Sequence, residues 1–256
     1  MLGLINTSNQ WIRHNDQIIL FVNTTKNAST TIREYWNVHV DEFPVESIGQ
    51  YFTVFYNTAL LPSEIEDQPY KICVILRDPV ARHLSATSML AGEFEHIYGI
   101  TGLDSSDFHD LHRVSDLHMV PQWAFVPMCM PPIPSDPHLI SRAILGDGES
   151  QYDWNDLYRD LIGKHGFENL INEHYDFFWM SEDPKENVWI DICKHYDMPL
   201  MDKKHNTAVG DLKYSRKDNP IKKNFSKMIT SVHSAYACDY DFHHRVTYRN
   251  AYLERR

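Results

Sequence analysis

The stretch Ile18-Ile-Leu-Phe-Val-Asn-Thr-Thr-Lys26-Asn-Ala-Ser-Thr-Thr-Ile32 decides the fold. Its first five residues are apolar without interruption, which is typical of a strand buried on both faces of a sheet. Ser29, Thr30 and Thr31 are residue types that cap helices, so a helix is expected to begin there. A buried strand that leads into a helix through a polar turn directs free backbone N–H groups and the positive end of the helix dipole at one point. The stretch therefore predicts an anion-binding turn.

A second apolar run repeats this pattern later in the chain. Lys71-Ile-Cys-Val-Ile-Leu76 predicts another central strand, and Arg77-Asp78-Pro79 follows it directly. Proline is favoured in the first turn of a helix and aspartate is a good cap, so residues 80–90 are expected to be helical. In an open α/β sheet, ligands bind at the carboxyl ends of the strands. Both polar turns are thus expected at the ligand-binding edge of the sheet.

The whole chain of 256 residues is interpreted as a single domain, because no Gly/Ser-rich or Pro-rich linker divides it. Residues 1–17 are interpreted as a lead-in to the first strand, and residues 92–148 as an insertion, mostly irregular or helical, over the sheet edge. Two further strands are predicted at 51–57 and 174–180. Helices are predicted at 152–162, ending at Gly163, and as a last long helix at 226–240. Another helix is expected to begin at Asp183-Pro184, and its apolar side has Val188, Ile190, Ile192 and Cys193.

Composition narrows the class of protein. The chain has 35 acidic and 24 basic residues and a net charge of −11, which argues against a nucleic-acid partner held by a broad basic surface. Its four cysteines are far apart and include no CxxC pair, so neither a zinc site nor a disulfide framework is indicated. No apolar run reaches the roughly 18 residues that cross a bilayer. We expect a soluble, cytoplasmic protein or, alternatively, a lumenal domain whose anchor has been removed.

The first turn differs from the ATP-binding P-loop, G-x-x-x-x-G-K-[ST]. No glycine lies between Leu4 and Gly49, and the lysine opens the turn instead of closing it. What remains is Lys26-x-x-Ser-Thr-Thr31, which offers a tetrahedral anion one ammonium group, several hydroxyls and a helix N-terminus. Taken alone, the turn is also explained as an ordinary helix cap.

The second turn strengthens the prediction of an anion site. Arg77 presents a fixed fork of donors that suits a phosphate, and Arg82 and Ser85 are three residues apart on one face of the following helix. A local salt bridge with a helix cap is the alternative explanation of Arg77 and Asp78. The joint occurrence of two such turns, each after a buried strand and in this order, is much less likely by chance than that of one.

At these motifs the chain resembles the sulfotransferases that use 3′-phosphoadenosine 5′-phosphosulfate (PAPS), and particularly their carbohydrate, Golgi-type branch. Lys26-Asn-Ala-Ser-Thr-Thr31 is similar to the turn that binds the 5′-phosphosulfate in that family. Arg77-Asp-Pro-Val-Ala-Arg-His-Leu-Ser85 is similar to the segment that binds the 3′-phosphate. His118-Met-Val-Pro-Gln122 and His205-Asn206 are similar to two further segments of the carbohydrate branch, although the second lacks its spacer residue. The resemblance extends over residues 18–245.

The resemblance implies a P-loop-like, three-layer α/β/α fold with a central, mainly parallel sheet and with residues 92–148 on the acceptor side. It implies transfer of a sulfuryl group from PAPS to a hydroxyl or amine of an acceptor, a carbohydrate or small molecule, without a metal. The nucleotide product is 3′-phosphoadenosine 5′-phosphate (PAP). The implied nucleotide-binding residues are Lys26, Asn27, Ala28, Ser29, Thr30, Thr31, Arg77 and Ser85, with Lys213 and Arg216 in a late loop that closes over the nucleotide.

Lys26 is also expected to be catalytic. A cation there stabilises the negative charge that grows on the oxygen between phosphorus and sulfur in the transition state. The base that activates the acceptor is left open among Glu42, His39 and His118, in that order. Two rival functions also remain: an ATP-dependent P-loop-like kinase, which needs magnesium, and an inactive relative that binds the nucleotide but lacks the base. The oligomeric state is left open.

Overall fold

The structure is a computed structural model of the 256-residue chain. It describes residues 6–22, 24, 27, 45–51, 69–100, 121–126, 154–171, 173–183, 186–200 and 225–253. Structural statements below refer to these residues.

Five strands form one mixed sheet in the order β3-β1-β2-β4-β5. The central strand β2 pairs in parallel with β4, and β4 pairs in parallel with β5. On the other side of β2, β1 is antiparallel to both β2 and β3. Together with the helices this makes an α/β protein. The strands are β1 (Asn6–His14), β2 (Gln17–Val22), β3 (Val45–Tyr51), β4 (Tyr70–Arg77) and β5 (Tyr175–Met180).

The β1–β2 hairpin corrects the interpretation of residues 1–17 as a lead-in. Asn15 and Asp16 have φ values of 49° and 57°, which are the positive values that a two-residue type I′ turn needs. The strand before this turn was missed because its sequence is mostly polar and has no apolar run. The strand predicted at 51–57 coincides with β3 only at Tyr51, and the remainder of that segment lies outside the described residues.

The helices are α1 (Pro79–Tyr98), α2 (Trp154–His165), α3 (Phe167–Leu170), α4 (Val188–His195), α5 (Phe225–Ala235) and α6 (Ala237–Leu253), with a 3-10 helix at Gln122–Phe125. The predicted cap of α1 is confirmed, since Asp78 Oδ1 accepts a hydrogen bond from the Ala81 N–H at 2.9 Å. The helix continues beyond the predicted residue 90 into the segment interpreted as an insertion. Of that insertion, 92–148, the structure describes only 92–100 and 121–126.

Three other predicted helices are correct in type and wrong in detail. α2 passes through Gly163, which was expected to end it, and the residue after it with positive φ is Gly166 (75°). α4 begins after its cap Asn187 instead of at Asp183-Pro184, and it buries Trp189 where Ile190 was expected. The last long helix is two helices that meet at Tyr236.

The core lies on both faces of the central strands, as the unbroken apolar runs predict. Alternate residues of β2 belong to two separate clusters, with Leu20 in one and Phe21 in the other. The Leu20 cluster includes side chains of α2, α6 and the 3-10 helix, whereas the Phe21 cluster includes side chains of α4. Helix side chains therefore pack on both faces of the parallel strands. The polar side chains described below lie at the ends of these strands. No helix in the described ranges has the length and apolar character to cross a membrane.

Candidate functional site

The candidate site lies where β2 and β4 end. The two strands run side by side in parallel, with Val22 opposite Val74, so their carboxyl ends meet at one edge of the sheet. After β2, the Thr24 N–H donates to the Val22 carbonyl at 3.0 Å, and the Asn27 N–H donates to the Thr24 carbonyl at 3.2 Å. The chain thus turns back immediately after the strand.

Asn27 ties this first turn to β4. Its Nδ2 donates to the Ile75 carbonyl at 2.8 Å and to Gln122 Oε1 at 2.5 Å. Its Oδ1 and the hydroxyl of Thr24 are buried and have no hydrogen-bond partner among the described residues. Leaving a buried polar atom unsatisfied costs on the order of 1–3 kcal/mol. The turn therefore has two oxygen atoms at the strand end whose hydrogen-bonding capacity is not used by the described residues.

Gln122 joins the two turns through its side-chain amide. Oε1 accepts from the Arg77 N–H at 2.9 Å, and Nε2 donates to the Arg77 carbonyl at 2.8 Å. The same Oε1 accepts from Asn27, as described above. Nε2 also lies 3.2 Å from Nε2 of His243. Gln122 is fully buried, so these partners take the place of water.

Asp239, in the first turn of α6, anchors the 3-10 helix. Its two carboxylate oxygens accept from the N–H groups of Gln122 and Trp123 at 2.9 and 3.1 Å. Burial raises the pKa of Asp239, while the Arg82 charge and these N–H donors favour its ionised form. Arg82 is itself buried, at 3% exposure. Two buried residues of opposite charge, Asp239 and Arg82, thus influence each other electrostatically near this network.

His243 lies beside the same network, one turn further along α6. Burial, and to a smaller extent the Arg82 charge, lowers the pKa of His243 to about 4, so the ring is neutral at pH 7. We infer that its Nε2 accepts the second Nε2 hydrogen of Gln122, which places the ring proton on Nδ1. The ring also contacts Trp179 edge-on, with 4.9 Å between ring centroids.

The guanidinium of Arg77 has a carboxylate partner. Its Nε donates to Glu182 Oε1 at 2.5 Å, and its Nη2 donates to Oε2 at 2.8 Å. The Arg77 side chain is 9% exposed and that of Glu182 is 50% exposed. Glu182 follows β5, so this bidentate pair connects the ends of two neighbouring parallel strands. An anion that binds Arg77 has to compete with Glu182 or share the guanidinium with it.

Of the predicted site residues, the structure describes three: Asn27, Arg77 and Ser85. The first two are brought together through Gln122, and Ser85 is half-buried on α1. The other predicted site residues lie outside the described residues and are Lys26, Ala28, Ser29, Thr30, Thr31, His39, Glu42, His118, Lys213 and Arg216.

Sequence reasoning gave no role to Asp239, His243 or Glu182. Gln122 was noted only as the last residue of the His118-Met-Val-Pro-Gln122 segment. That segment was the one available signal, because it placed a glutamine among motifs that the resemblance associates with the ligand. Asp239 and Glu182 had none, since their partners are 117 and 105 residues away in the chain.

Within the described ranges, no group of three or more His, Cys, Asp or Glu side chains is arranged to hold a metal ion. Comparison of the chain with protein-family models, with curated proteins and with solved structures finds no match.

Proposed function

We propose that this protein is a PAPS-dependent sulfotransferase with a P-loop-like, three-layer α/β/α fold. The turn after β2 binds the 5′-phosphosulfate, and Arg77 and Ser85 bind the 3′-phosphate. The sulfuryl group passes to a hydroxyl or amine of an acceptor, a carbohydrate or small molecule.

The hydrogen bond from Asn27 to the Ile75 carbonyl, at 2.8 Å, carries this proposal. It holds the first turn against β4 two residues before Arg77, so the two polar turns are neighbours. A nucleotide with an anionic group on each side of its ribose needs two anion sites at adjacent strand ends, and the closeness of the two turns supports this proposal. The resemblance of both turns to the sulfotransferase motifs gives the ligand its identity.

The chemistry follows from where charge develops. In the proposed in-line transfer, the acceptor oxygen attacks sulfur as the bond from sulfur to the bridging oxygen breaks, and PAP leaves with the added negative charge. Lys26 stabilises that charge more in the transition state than in the ground state, which is the requirement for catalysis. The acceptor proton passes to Glu42, His39 or His118.

Calorimetric titration with PAP tests the nucleotide site. The unmodified protein is expected to bind PAP, and Lys26→Ala and Arg77→Ala to bind it at least about tenfold more weakly, because a hydrogen bond to a charged group contributes about 1.5–3 kcal/mol. Arg159→Ala is the matched control, since Arg159 is an exposed arginine paired with Asp156 on α2. Unchanged PAP binding by both site variants would overturn the assignment.

A parallel titration with ATP, with and without Mg²⁺, separates the kinase alternative. The proposal expects PAP to bind without Mg²⁺ and more tightly than ATP. Tighter, Mg²⁺-dependent binding of ATP would favour a kinase. PAP binding without transfer to any acceptor in a panel of carbohydrates and small hydroxyl compounds would indicate an inactive relative.

A further inference from the structure

We infer that Gln122 is a positioning residue that holds the two anion-binding turns in one fixed arrangement, and that Asp239 acts through it. The inference rests on the proposed function for the identity of the ligand, PAP. The contacts that carry it are independent of any ligand.

The side chain of Gln122 holds the end of β4. The amide of Gln122 satisfies both backbone groups of Arg77, accepting from its N–H at 2.9 Å and donating to its carbonyl at 2.8 Å. A neighbouring strand gives a residue the same pair of hydrogen bonds. Gln122 therefore fixes the peptide groups on either side of the Arg77 Cα, and with them the direction in which the arginine side chain leaves the strand.

Gln122 also contacts the turn that follows β2. The oxygen that accepts from the Arg77 N–H also accepts from Asn27 Nδ2 at 2.5 Å. One atom of Gln122 is thus shared by both turns, so a shift of either turn disturbs the other. Because both phosphates of PAP are attached to one ribose, two turns that are already held at a set spacing lower the cost of binding.

The hydrogen-bond partners of Gln122 decide which side chain fits at this position. Oε1 has two donors, Arg77 N–H and Asn27 Nδ2, while Nε2 faces the Arg77 carbonyl and His243. Turning the amide over would set donor against donor and acceptor against acceptor at Arg77. Glutamate would set an oxygen against the Arg77 carbonyl, and methionine would satisfy neither backbone group. The position therefore selects glutamine in one orientation.

Helix α6 supports Gln122 through Asp239. Asp239 accepts from the backbone N–H groups of Gln122 and Trp123, so the glutamine is anchored at its main chain as well as at its amide. Asp239 is thus separated from Arg77 and Asn27 by a single residue, Gln122. It positions these residues through the main chain of Gln122.

The experiment compares Gln122→Met with Gln122→Asn, which keeps the amide but is one methylene shorter. Asn187→Ala is the matched control: Asn187 is an amide that accepts from the Trp189 N–H at 3.2 Å at the start of α4, on the other face of the sheet. PAP affinity, hydrogen exchange of the Arg77 amide and urea unfolding are measured on each. For PAPS turnover, KM and kcat are measured separately.

Both Gln122 variants are expected to bind PAP at least tenfold more weakly while still folded, with KM for PAPS raised and kcat within about threefold of the unmodified protein. The Arg77 amide is expected to lose at least tenfold in protection, whereas Asn187→Ala keeps both values. If Gln122→Met does not fold, the same comparison is made with Gln122→Asn.

Unchanged PAP affinity, or an Arg77 amide as protected as before in a folded variant, would overturn the inference. Failure of the proposed function looks different: the unmodified protein would not bind PAP, or Arg77→Ala would bind it normally. In that case the exchange rate of the Arg77 amide still decides whether Gln122 fixes the end of β4.

Discussion

Glu182 sets both oxygens of its carboxylate against the guanidinium of Arg77, at 2.5 Å from Nε and 2.8 Å from Nη2. This is the geometry in which arginine also binds phosphate. Glu182 is half-exposed and follows β5 in an irregular segment, whereas Arg77 is nearly buried. The carboxylate therefore occupies the place that the proposed 3′-phosphate needs, and it is the more exposed of the two side chains.

Glu182→Gln should strengthen PAP binding by about three- to tenfold, because it removes the negative charge that competes with the phosphate and keeps the size of the side chain. Titration of both proteins at low ionic strength measures the change. Asp156→Asn, which neutralises a more exposed carboxylate partner of an arginine on α2, should have no effect. Weaker binding by Glu182→Gln would show instead that the carboxylate orients Arg77 for its ligand.

Thr24→Val should leave the protein as stable or slightly more stable, because the buried Thr24 hydroxyl has no hydrogen-bond partner among the described residues. If the hydroxyl serves the 5′-phosphosulfate, the same change should weaken PAP binding by about threefold or more. Urea unfolding and PAP titration give the two values. A loss of more than about 1 kcal/mol in the free energy of unfolding would mean that the hydroxyl has a structural partner.

The parts of the fold that could be predicted are those in which neighbouring residues hold the signal. β2, β4 and β5 are apolar or aromatic runs, and α1 has its cap and proline in sequence before it. β1 is polar and becomes a strand by pairing on both sides, which nothing in its own residues indicates. The break at Tyr236 between α5 and α6 has neither glycine nor proline to mark it.

The candidate site was predictable in the same limited way. Arg77 and Asn27 belong to segments with recognisable patterns, so their place at strand ends could be read from the chain. The residues that join them could not. Gln122 and Asp239 meet their partners only after the strands and α6 have packed, and a buried amide or carboxylate has no periodicity that distinguishes it from an exposed one.

Asp239→Asn should lower the free energy of unfolding by about 1–3 kcal/mol, because an amide nitrogen then faces one of the two buried N–H groups, of Gln122 and Trp123, that donate to the carboxylate. The matched exposed pair is Asp156 with Arg159, for which Asp156→Asn should cost less than about 1 kcal/mol. Urea unfolding at pH 7 measures both. Equal costs in the two variants would contradict a structural role for the hydrogen bonds that Asp239 accepts from Gln122 and Trp123.

Stability should fall on mild acidification because of His243. Burial and the nearby Arg82 charge lower its pKa from 6.5 to about 4 in the folded protein, so between these values the unfolded chain binds the proton more tightly. The free energy of unfolding should therefore drop by about 2 kcal/mol between pH 7 and pH 5 on account of this group. The raised pKa of Asp239 acts in the opposite direction.

Comparison with His243→Gln isolates the histidine, because Asp239 is present in both proteins. The amide oxygen of the introduced glutamine can accept from Gln122 in place of the imidazole nitrogen, and the variant should lose about 2 kcal/mol less than the unmodified protein on going to pH 5. Urea unfolding at the two pH values gives the difference. Parallel curves for the two proteins would mean that His243 is solvated and titrates normally.

A crystal structure of the protein with PAP bound tests the central claim most directly. The claim predicts the 3′-phosphate within hydrogen-bond distance of the Arg77 guanidinium and the Ser85 hydroxyl, with Glu182 displaced from at least one of its bonds to Arg77. It predicts the 5′-phosphate at the turn formed by residues 24–31. PAP bound away from the ends of β2 and β4, or with neither phosphate at these two turns, would contradict it.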